Sequence, residues 1–204
     1  MQLTFGEAYR EFGVPAGLPP EAEAPLSIWH DMLVRWNKKT NLTRVTAPKQ
    51  AVIYHLLDTL PLARAIAPRA RVLDIGSGAG VPGVVIAILR PDVTVTCAES
   101  ITKKAAFLIQ VRGALQLTNL RVEPERAEGL AERFDLIAAR AVADPKTLVS
   151  RFAHLTTPGG VVALFVTPHT KFSLPDGFFA AKTIDYTLPG GYGERRLVLA
   201  ERPA

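Results

Sequence analysis

The spacing of apolar residues divides the chain near residue 70. Before that point, one apolar stripe recurs at the spacing of a helical face. The stripe comprises Ile28, Trp29, Met32, Leu33 and Trp36. A second helix is predicted over 48–66, and the prolines between residues 15 and 25 confine any earlier helix to the first dozen residues. The first part of the chain is therefore predicted to be helical.

From residue 70 onward, short runs rich in β-branched residues alternate with helical stretches. The predicted strands are 70–75, 93–97, 120–122, 134–138 and 161–166, and the predicted helices are 82–89, 102–117 and 145–155. Two final strands, 182–187 and 195–200, flank a turn-rich segment and predict a hairpin at the sheet edge. The alternation indicates an α/β fold with a doubly wound, mostly parallel, Rossmann-like sheet over 69–204 and a helical extension over 1–68.

The composition favours a folded protein in an aqueous compartment. The chain has 204 residues, of which 48% are hydrophobic and 21% charged, a balance that disfavours disorder. Its longest apolar runs are far shorter than the roughly 20 residues of a membrane helix, and the first residues do not resemble a signal peptide. A single cysteine, Cys97, excludes a disulfide framework and a multi-cysteine zinc site. We expect a cytoplasmic protein with no membrane partner and no bound metal.

The positive charge is concentrated in one stretch. The whole chain carries a formal net charge of +5, but residues 31–71 contain eight basic and two acidic side chains, a local balance of +6. Such a stretch is typical of a surface that contacts phosphates, and a solvated helix face is the alternative. The candidate phosphate-contacting side chains are Lys38, Lys39, Arg44, Lys49, Arg64, Arg69 and Arg71.

A glycine-rich segment follows the first predicted strand. It reads Asp74-Ile-Gly76-Ser-Gly78-Ala-Gly80, and glycines at such a point allow a tight turn and close approach of the backbone to a ligand. A simple strand-to-helix turn is the alternative. The G-x-G-x-G spacing differs from the G-x-G-x-x-G fingerprint of dinucleotide-binding proteins. It therefore disfavours an NAD-dependent oxidoreductase.

An acidic residue lies at the end of the second predicted strand. Glu99 follows Asp74 by 25 residues, and a carboxylate at this place can accept both hydrogen bonds of a ribose diol. A solvated acid is the alternative for Glu99. For Asp74 the alternative is an acid that binds the amides of its own loop, and that role is compatible with cofactor binding.

Six segments occur in an order that resembles one protein family. They are Trp36-Asn-x-x-x-Asn41-Leu-Thr43, His55-Leu-Leu-Asp58-Thr-Leu, Leu73-Asp-Ile-Gly-Ser-Gly-Ala-Gly-Val-Pro-Gly83, Glu99-Ser-x-x-Lys103-Lys-x-x-Phe107-Leu, Arg126-Ala-Glu128 and Ala139-Arg140-Ala141. The chain resembles the bacterial 16S ribosomal RNA guanine-N7 methyltransferases, the RsmG or glucose-inhibited-division B family. The resemblance covers roughly residues 26 to 200.

The resemblance implies a class I S-adenosylmethionine-dependent methyltransferase fold. It implies S-adenosyl-L-methionine as the methyl donor and a guanine N7 of 16S ribosomal RNA, free or in the 30S subunit, as the acceptor; we expect a monomer. The cofactor residues that it implies are Gly76, Gly78 and Val81 at the methionine part, Glu99 at the ribose, Ala127 and Glu128 at the adenine, and Arg140 at the carboxylate end or the incoming nucleotide. It assigns no catalytic base, and Arg140 and His55 are the candidates on the substrate side.

The acceptor chemistry explains why no base is expected. Guanine N7 carries a free lone pair and no proton, so methyl transfer rests on alignment in a water-poor pocket. We expect His55 to hydrogen-bond Asp58 or the backbone. Trp29, Trp36 and Cys97 are expected to pack in the core rather than to contact a ligand.

The chain departs from the family pattern after the fifth predicted strand. The family places a Lys-Gly pair there, whereas this chain has Thr167-Pro-His-Thr-Lys171. Lys171 takes that place only if the loop folds back. Two alternatives to the main interpretation stay open: a methyltransferase of the same fold with another substrate, and a non-catalytic ribosome-binding or RNA-binding protein that keeps the cofactor pocket.

Overall fold

The computed structural model describes residues 3–140 and 144–202, so Ala141 of the last family segment lies outside the described residues. A seven-stranded sheet forms the centre, in the order β3-β2-β1-β4-β5-β7-β6. Its strands are β1 (Arg71–Ile75), β2 (Thr94–Ala98), β3 (Leu120–Glu123), β4 (Phe134–Ala139), β5 (Thr156–Val166), β6 (Phe179–Leu188) and β7 (Gly193–Glu201). Strands β1 to β5 pair in parallel. The predicted doubly wound, mostly parallel sheet is confirmed.

The helices lie before the sheet and between its strands. They are α1 (Phe5–Ala8), α2 (Glu23–Thr40), α3 (Pro48–Ala51), α4 (Leu60–Ala65), α5 (Gly83–Leu89), α6 (Thr102–Ala114) and α7 (Pro145–Phe152). Short 3₁₀ turns occupy Pro20–Ala22, Ala127–Gly129 and Ala153–Leu155. The predicted helices between the strands are confirmed. In the described part of the chain, no helix is long and apolar enough to span a membrane.

The prediction of one continuous helix over 48–66 is wrong. The segment consists of α3, a π-helical stretch Val52–Leu57, and α4 after a break at Asp58 and Thr59. Pro61 in the first turn of α4 has no amide hydrogen to continue the preceding helix. The interruption leaves the buried Asp58 carboxylate directed at the sheet, where Arg140 binds it.

The last two strands form the predicted edge hairpin. Strand β7 pairs antiparallel with both β5 and β6, so it lies between them. Strand β5 is longer than the predicted strand 161–166, because residues 156–160 also belong to it. This arrangement brings residues from β6 and β7 next to the carboxyl end of β5.

The helical extension shares its core with the sheet. One cluster of buried residues includes Leu33 of α2, Val84 of α5 and Val95 of β2. Trp29 is fully buried, Trp36 is half-buried with its ring 5.8 Å from that of Phe107, and Cys97 is buried. The expectation that both tryptophans and the cysteine pack in the core is confirmed.

Candidate active site

The glycine-rich loop leaves the carboxyl end of β1, next to the point where the strand order reverses between β1 and β4. Gly76, Gly78 and Gly80 have φ values of 65°, 50° and 84°, in the left-handed region that favours glycine. The Gly76 amide donates a hydrogen bond of 2.8 Å to the carbonyl of Ala98 at the end of β2. The loop is therefore held where open α/β sheets bind their ligands.

Asp74 supports this loop from beneath. Its Oδ2 accepts a hydrogen bond of 2.9 Å from the Gly83 amide at the start of α5, as expected for an acid that binds its own loop. Burial raises the pKa of Asp74 to about 7, and its Oδ1 has no hydrogen-bond partner among the described residues. A Cβ on Gly83 would lie 2.6 Å from Asp74 Oδ2 and 2.5 Å from Cys97 Sγ. Only glycine fits at the point where α5 meets β1 and β2.

Glu99 connects the end of β2 to the glycine loop. Its side chain is buried. Oε2 accepts from the Gly78 amide and Oε1 from the Ile101 amide, each at 2.9 Å. Because each carboxylate oxygen has two lone pairs, both oxygens keep an acceptor position. The two amides fix the orientation of a carboxylate that has the chemistry to bind a vicinal diol.

A cavity of about 490 Å³ lies against the glycine loop, and we call it the methionine-side cavity. It is lined by Leu42, Thr43, Val45, Tyr54, His55, Gly76, Ser77, Gly78, Ala79, Val81, Lys104 and Arg140. The structure thus brings together five of the residues singled out in the sequence, Gly76, Gly78, Val81, Arg140 and His55. The rest of the lining comes from the α2–α3 connection, the π-helical stretch, the glycine loop and α6.

The asparagines of the Trp36-Asn-x-x-x-Asn41 segment shape one wall of this cavity. Asn41 ends α2 in a left-handed conformation with φ 50°. The Asn37 side chain accepts a hydrogen bond of 2.9 Å from the Thr43 amide. On the same side, Trp29 Nε1 donates to the carbonyl of Ala79 at 3.0 Å. The extension is therefore attached directly to the glycine loop.

His55 hydrogen-bonds the backbone, one of the two expected partners. Its Nε2 lies 3.1 Å from the carbonyl oxygen of Val45. Burial, and next the charge of Arg140, lower the pKa of His55 to about 4. His55 is therefore neutral at pH 7, and its Nε2 is occupied by the hydrogen bond to the Val45 carbonyl.

Arg140 lies at the end of β4 between two cavities. It donates to the Tyr54 carbonyl at 2.9 Å and forms an ion pair with Asp58, while its guanidinium carbon lies 5.4 Å from the centre of the Phe165 ring. Tyr186 of β6 donates from its hydroxyl to Asp58 Oδ1 at 2.6 Å. Burial, followed by the Asp58 charge, raises the pKa of Tyr186. The Arg140 side chain is thus immobilised by groups from the extension.

A second cavity, of about 410 Å³, lies on the other side of Arg140, and we call it the acceptor-side cavity. It is lined by Asp58, Ala139, Arg140, Pro145, Leu148, Leu164, Phe165, Val166, Thr167, Thr170 and Arg195. The exposed Lys171 lines neither this cavity nor the methionine-side cavity. The loop after β5 therefore does not bring Lys171 to the site.

A third cavity, of about 160 Å³, lies beyond the ends of β1 and β2, and we call it the adenine-side cavity. Its lining includes Ala127, Glu128, Gly76 and Phe152. Glu128 forms an ion pair with Arg151 of α7. The Glu128 backbone amide and the Arg151 guanidinium hold the pKa of Glu128 below its usual value. The structure places Ala127 and Glu128 across the glycine loop from Arg140, as an extended ligand along the strand ends requires.

The basic residues of 31–71 do not form one surface. Arg71 opens β1, pairs with Asp135 at 3.6 Å, and lies about 16 Å along the strand from the glycine loop. Arg64 donates to the carbonyls of Ala16 and Gly17 at 3.2 and 3.3 Å, and Lys49 lies 4.6 Å above the Phe12 ring. The exposed Lys38 and Lys39 lie in the last turn of α2, and the exposed Arg44 lies between Thr43 and Val45, which line the methionine-side cavity. The predicted cluster of phosphate-contacting residues is therefore divided among different regions.

Sequence reasoning missed Tyr186, Arg195 and Arg151. Asp58 had a signal, since it belongs to the quoted His55-Leu-Leu-Asp58 segment. Tyr186 and Arg195 had none, because the strand order that brings β6 and β7 to this place is invisible in the local pattern. No group of three His, Cys, Asp or Glu side chains suited to a metal ion occurs in residues 3–140 and 144–202.

The strand order, the glycine loop and the acidic residue after β2 define a class I S-adenosylmethionine-dependent methyltransferase fold. A mutant of MtNAS crystallised with S-adenosylmethionine has a similar fold, with a TM-score of 0.59 and 17% identity over 89% of this chain and 76% of that one. The family model described as GidB, rRNA small subunit methyltransferase G, matches residues 22–171. The chain belongs to this family, as its sequence segments suggested.

Relatives in two bacterial genera support the assignment over most of the chain. The ribosomal RNA small subunit methyltransferase G of Burkholderia lata is 40% identical over 178 residues, which are 82% of this chain and 78% of the relative. The protein of the same name from Xanthomonas axonopodis pv. citri is 40% identical over 184 residues, 88% of this chain and 86% of the relative.

Proposed function

We propose that this protein transfers the methyl group of S-adenosyl-L-methionine to N7 of a guanine in small-subunit (16S) ribosomal RNA. One observation carries the proposal. The glycine loop, the amide-held Glu99 and the immobilised Arg140 meet at the carboxyl ends of β1, β2 and β4, between three adjoining cavities. Family membership supplies the class of substrate.

The residues present have the chemistry to hold the cofactor. The Glu99 carboxylate is suited to the two ribose hydroxyls. Gly76, Gly78 and Val81 offer backbone and a small apolar side chain to the methionine part, and Ala127 and Glu128 adjoin the adenine position. The methionine-side and adenine-side cavities share Gly76, and Ala98 and Ser100, the neighbours of Glu99, line the second of them. Together the two cavities fit an adenosyl amino acid.

In the proposed methyl transfer, the cofactor supplies the reactive group and the protein aligns the reactants. S-adenosylmethionine supplies an electrophilic methyl group on a sulfonium. Because guanine N7 already carries a lone pair, the protein needs no general base, in agreement with a His55 that is neutral and committed to the Val45 carbonyl. The side chains orient the reactants and exclude water. Arg140 lines both the methionine-side cavity and the acceptor-side cavity, where the two meet.

The biological setting follows from the substrate. We propose 16S ribosomal RNA or the 30S subunit as the partner in the cytoplasm, with the protein acting as a monomer. The exposed cations at the end of α2 and in the α2–α3 connection, Lys38, Lys39 and Arg44, provide phosphate contacts for an RNA that approaches this face. Arg69 and Arg71, at the opposite end of β1, serve no such contact in this proposal.

The test is methyl transfer from tritiated S-adenosylmethionine. The protein is incubated with 30S subunits, or with stripped 16S RNA, from a strain that lacks its own copy of the enzyme, and the label is mapped by cleavage at N7-methylguanine. We expect label at one guanine N7. Label at another base would identify a methyltransferase with another substrate. Cofactor binding without label in either substrate would identify a non-catalytic RNA-binding protein.

A further inference from the structure

The acceptor-side cavity contains an arginine that forms no ion pair with a carboxylate of the described residues. Two arginines line it, Arg140 and Arg195. Arg140 is committed to Asp58 and to the Tyr54 carbonyl. The half-buried Arg195 donates only to the carbonyl of Glu194, at 2.9 Å, among the partners that the described residues provide. Since a guanidinium has five donors, Arg195 keeps most of them for a ligand.

The pairing of β6 with β7 sets the direction of the Arg195 side chain. Tyr186 lies opposite Arg195, and Asp185 lies opposite Arg196. Directly paired residues share one face of a sheet and successive residues alternate. Arg195 is therefore on the face where Tyr186 reaches Asp58, whereas Arg196 is on the other face, where it binds Asp185 at 2.6 and 2.8 Å. Only the first of these two arginines points to the cavity.

The remaining walls of the cavity suit a flat aromatic group. Leu148 of α7 and Leu164 of β5 are apolar, and the half-buried Phe165 presents a ring next to the Arg140 guanidinium. A volume of about 410 Å³ lies in the range of small-molecule sites. Bases that leave an RNA stack bind proteins by stacking on aromatic rings and guanidinium planes. The cavity combines such a wall with an available cation.

We propose that the acceptor-side cavity receives the extruded purine nucleotide and that Arg195 binds its phosphate. The base stacks against the Phe165 wall, and its N7 faces the methionine-side cavity where the two cavities meet at Arg140. This inference rests on the proposed function, because the methyl acceptor must adjoin the cofactor. It adds a phosphate-binding residue, contributed by β7 of the edge hairpin, that no sequence segment indicated. Arg195 of β7 supplies a cation to the acceptor-side cavity, which Lys171 in the loop after β5 does not line.

The experiment measures binding and turnover with 30S subunits that lack the methyl group. Binding is measured with S-adenosylhomocysteine present, between 50 and 200 mM salt, for the wild type, Arg195→Ala, Arg195→Lys and Arg202→Ala. Arg202 follows the other end of β7, near the start of β5, and its backbone pairs with Gly160. Arg202→Ala therefore removes the same charge about 20 Å away along the strand and serves as the matched control.

We expect Arg195→Ala to raise the KM for 30S subunits about tenfold and to reduce the slope of log affinity against log salt by about 0.7 to 0.9, the value for one lost phosphate contact. Arg195→Lys keeps the slope and has an intermediate KM, because it keeps the charge but loses the planar fork. The Kd for S-adenosylmethionine stays within about twofold of wild type in all variants, a margin far below a tenfold change. Arg202→Ala behaves as wild type.

Two results would overturn the inference. One is an Arg195→Ala protein with the wild-type KM and salt slope. The other is an equal loss of cofactor and subunit binding, which would make Arg195 a structural residue. Absence of methyl transfer by the wild-type protein would contradict the proposed function instead, and the binding measurement would still decide the role of Arg195, since it needs no turnover.

Discussion

Arg140, at the end of β4, forms an ion pair with Asp58, which lies 82 residues earlier in the helical extension. The Asp58 side chain is 5% exposed and that of Arg140 is 23% exposed, so the pair is largely removed from water. Tyr186 provides a third member through its bond to Asp58 Oδ1. The extension, the centre of the sheet and its edge hairpin therefore meet at one carboxylate.

Removing the charge of Asp58 tests how much its ion pair with Arg140 contributes to the free energy of unfolding. Asp58→Asn leaves the Arg140 cation without its partner, and breaking a buried pair in this way costs about 3 kcal/mol. Urea unfolding at pH 7 measures the change. Tyr186→Phe, which removes one hydroxyl from the same carboxylate, is expected to cost about 1 kcal/mol. An Asp58→Asn protein within about 0.5 kcal/mol of wild type, the usual effect of a surface substitution, would show that the pair contributes little.

Glu99→Gln tests the ribose acceptor. The glutamine amide presents hydrogens to one of the Gly78 and Ile101 amides, so the side chain loses its fixed orientation as well as its charge. We expect the Kd for S-adenosylmethionine to rise at least tenfold, about 1.4 kcal/mol, as measured by calorimetry. The control is Glu132→Gln, at an exposed acid that pairs with Arg121 of β3. Equal affinities for the Glu99→Gln protein and the control would refute the assignment.

Two glycine substitutions have opposite expected signs. Gly83→Ala places a Cβ against Cys97 and Asp74, and overpacking of this kind costs about 1 to 3 kcal/mol. Gly113, exposed near the end of α6, has no atom within 4 Å of an added Cβ. Gly113→Ala is expected to stabilise the protein by about 0.5 kcal/mol. Thermal unfolding measures both, and destabilisation of equal size would contradict the packing described around α5.

The buried His55 and Asp74 give stability opposite dependences on pH. The pKa of His55 falls from 6.5 to about 4 on folding, so the unfolded chain binds a proton between these values that the native protein does not. Stability through His55 therefore rises with pH over this range, by up to about 1.4 kcal/mol per unit. The pKa of Asp74 rises from 3.8 to about 7, so the native protein binds the extra proton and stability falls with rising pH.

Asp74→Asn and His55→Gln separate the two effects. From pH 4.5 to 6.5, the stability of Asp74→Asn is expected to rise more steeply with pH than that of wild type, and that of His55→Gln to rise less steeply or to fall. The difference from wild type cancels the contributions of the other titrating groups. Urea unfolding across this range provides the measurement, and parallel curves for the three proteins would contradict the assigned pKa shifts.

Local patterns in the sequence were sufficient for most of the fold. Each predicted strand and each predicted helix between the strands is present, because β-branched runs and their glycine or proline boundaries are local signals. The continuous helix over 48–66 was not found. Pro61 is a local signal for the interruption, but the ion pair between Asp58 at this break and Arg140, 82 residues later, is not visible in any local pattern.

The candidate site was predictable where one segment carries both the turn and the ligand chemistry. Gly76, Gly78 and Glu99 are of this kind, since strand ends can be inferred from the sequence. Tyr186 and Arg195 are not, because they approach the site only through the antiparallel insertion of β7 between β5 and β6. The seven candidate cations between residues 38 and 71 were likewise grouped by sequence position, whereas Arg71 lies at the end of β1 that is far from the glycine loop.

The central claim is methylation of guanine N7 in 16S RNA through the Glu99 cofactor site. The most direct test is mass spectrometry of nucleosides from 16S RNA of a strain deleted for this protein and complemented with the wild-type or Glu99→Gln chain. We expect N7-methylguanosine to fall on deletion, to return with the wild type, and to return weakly or not at all with Glu99→Gln. A level of N7-methylguanosine that deletion does not change, or that both chains restore equally, would contradict the account.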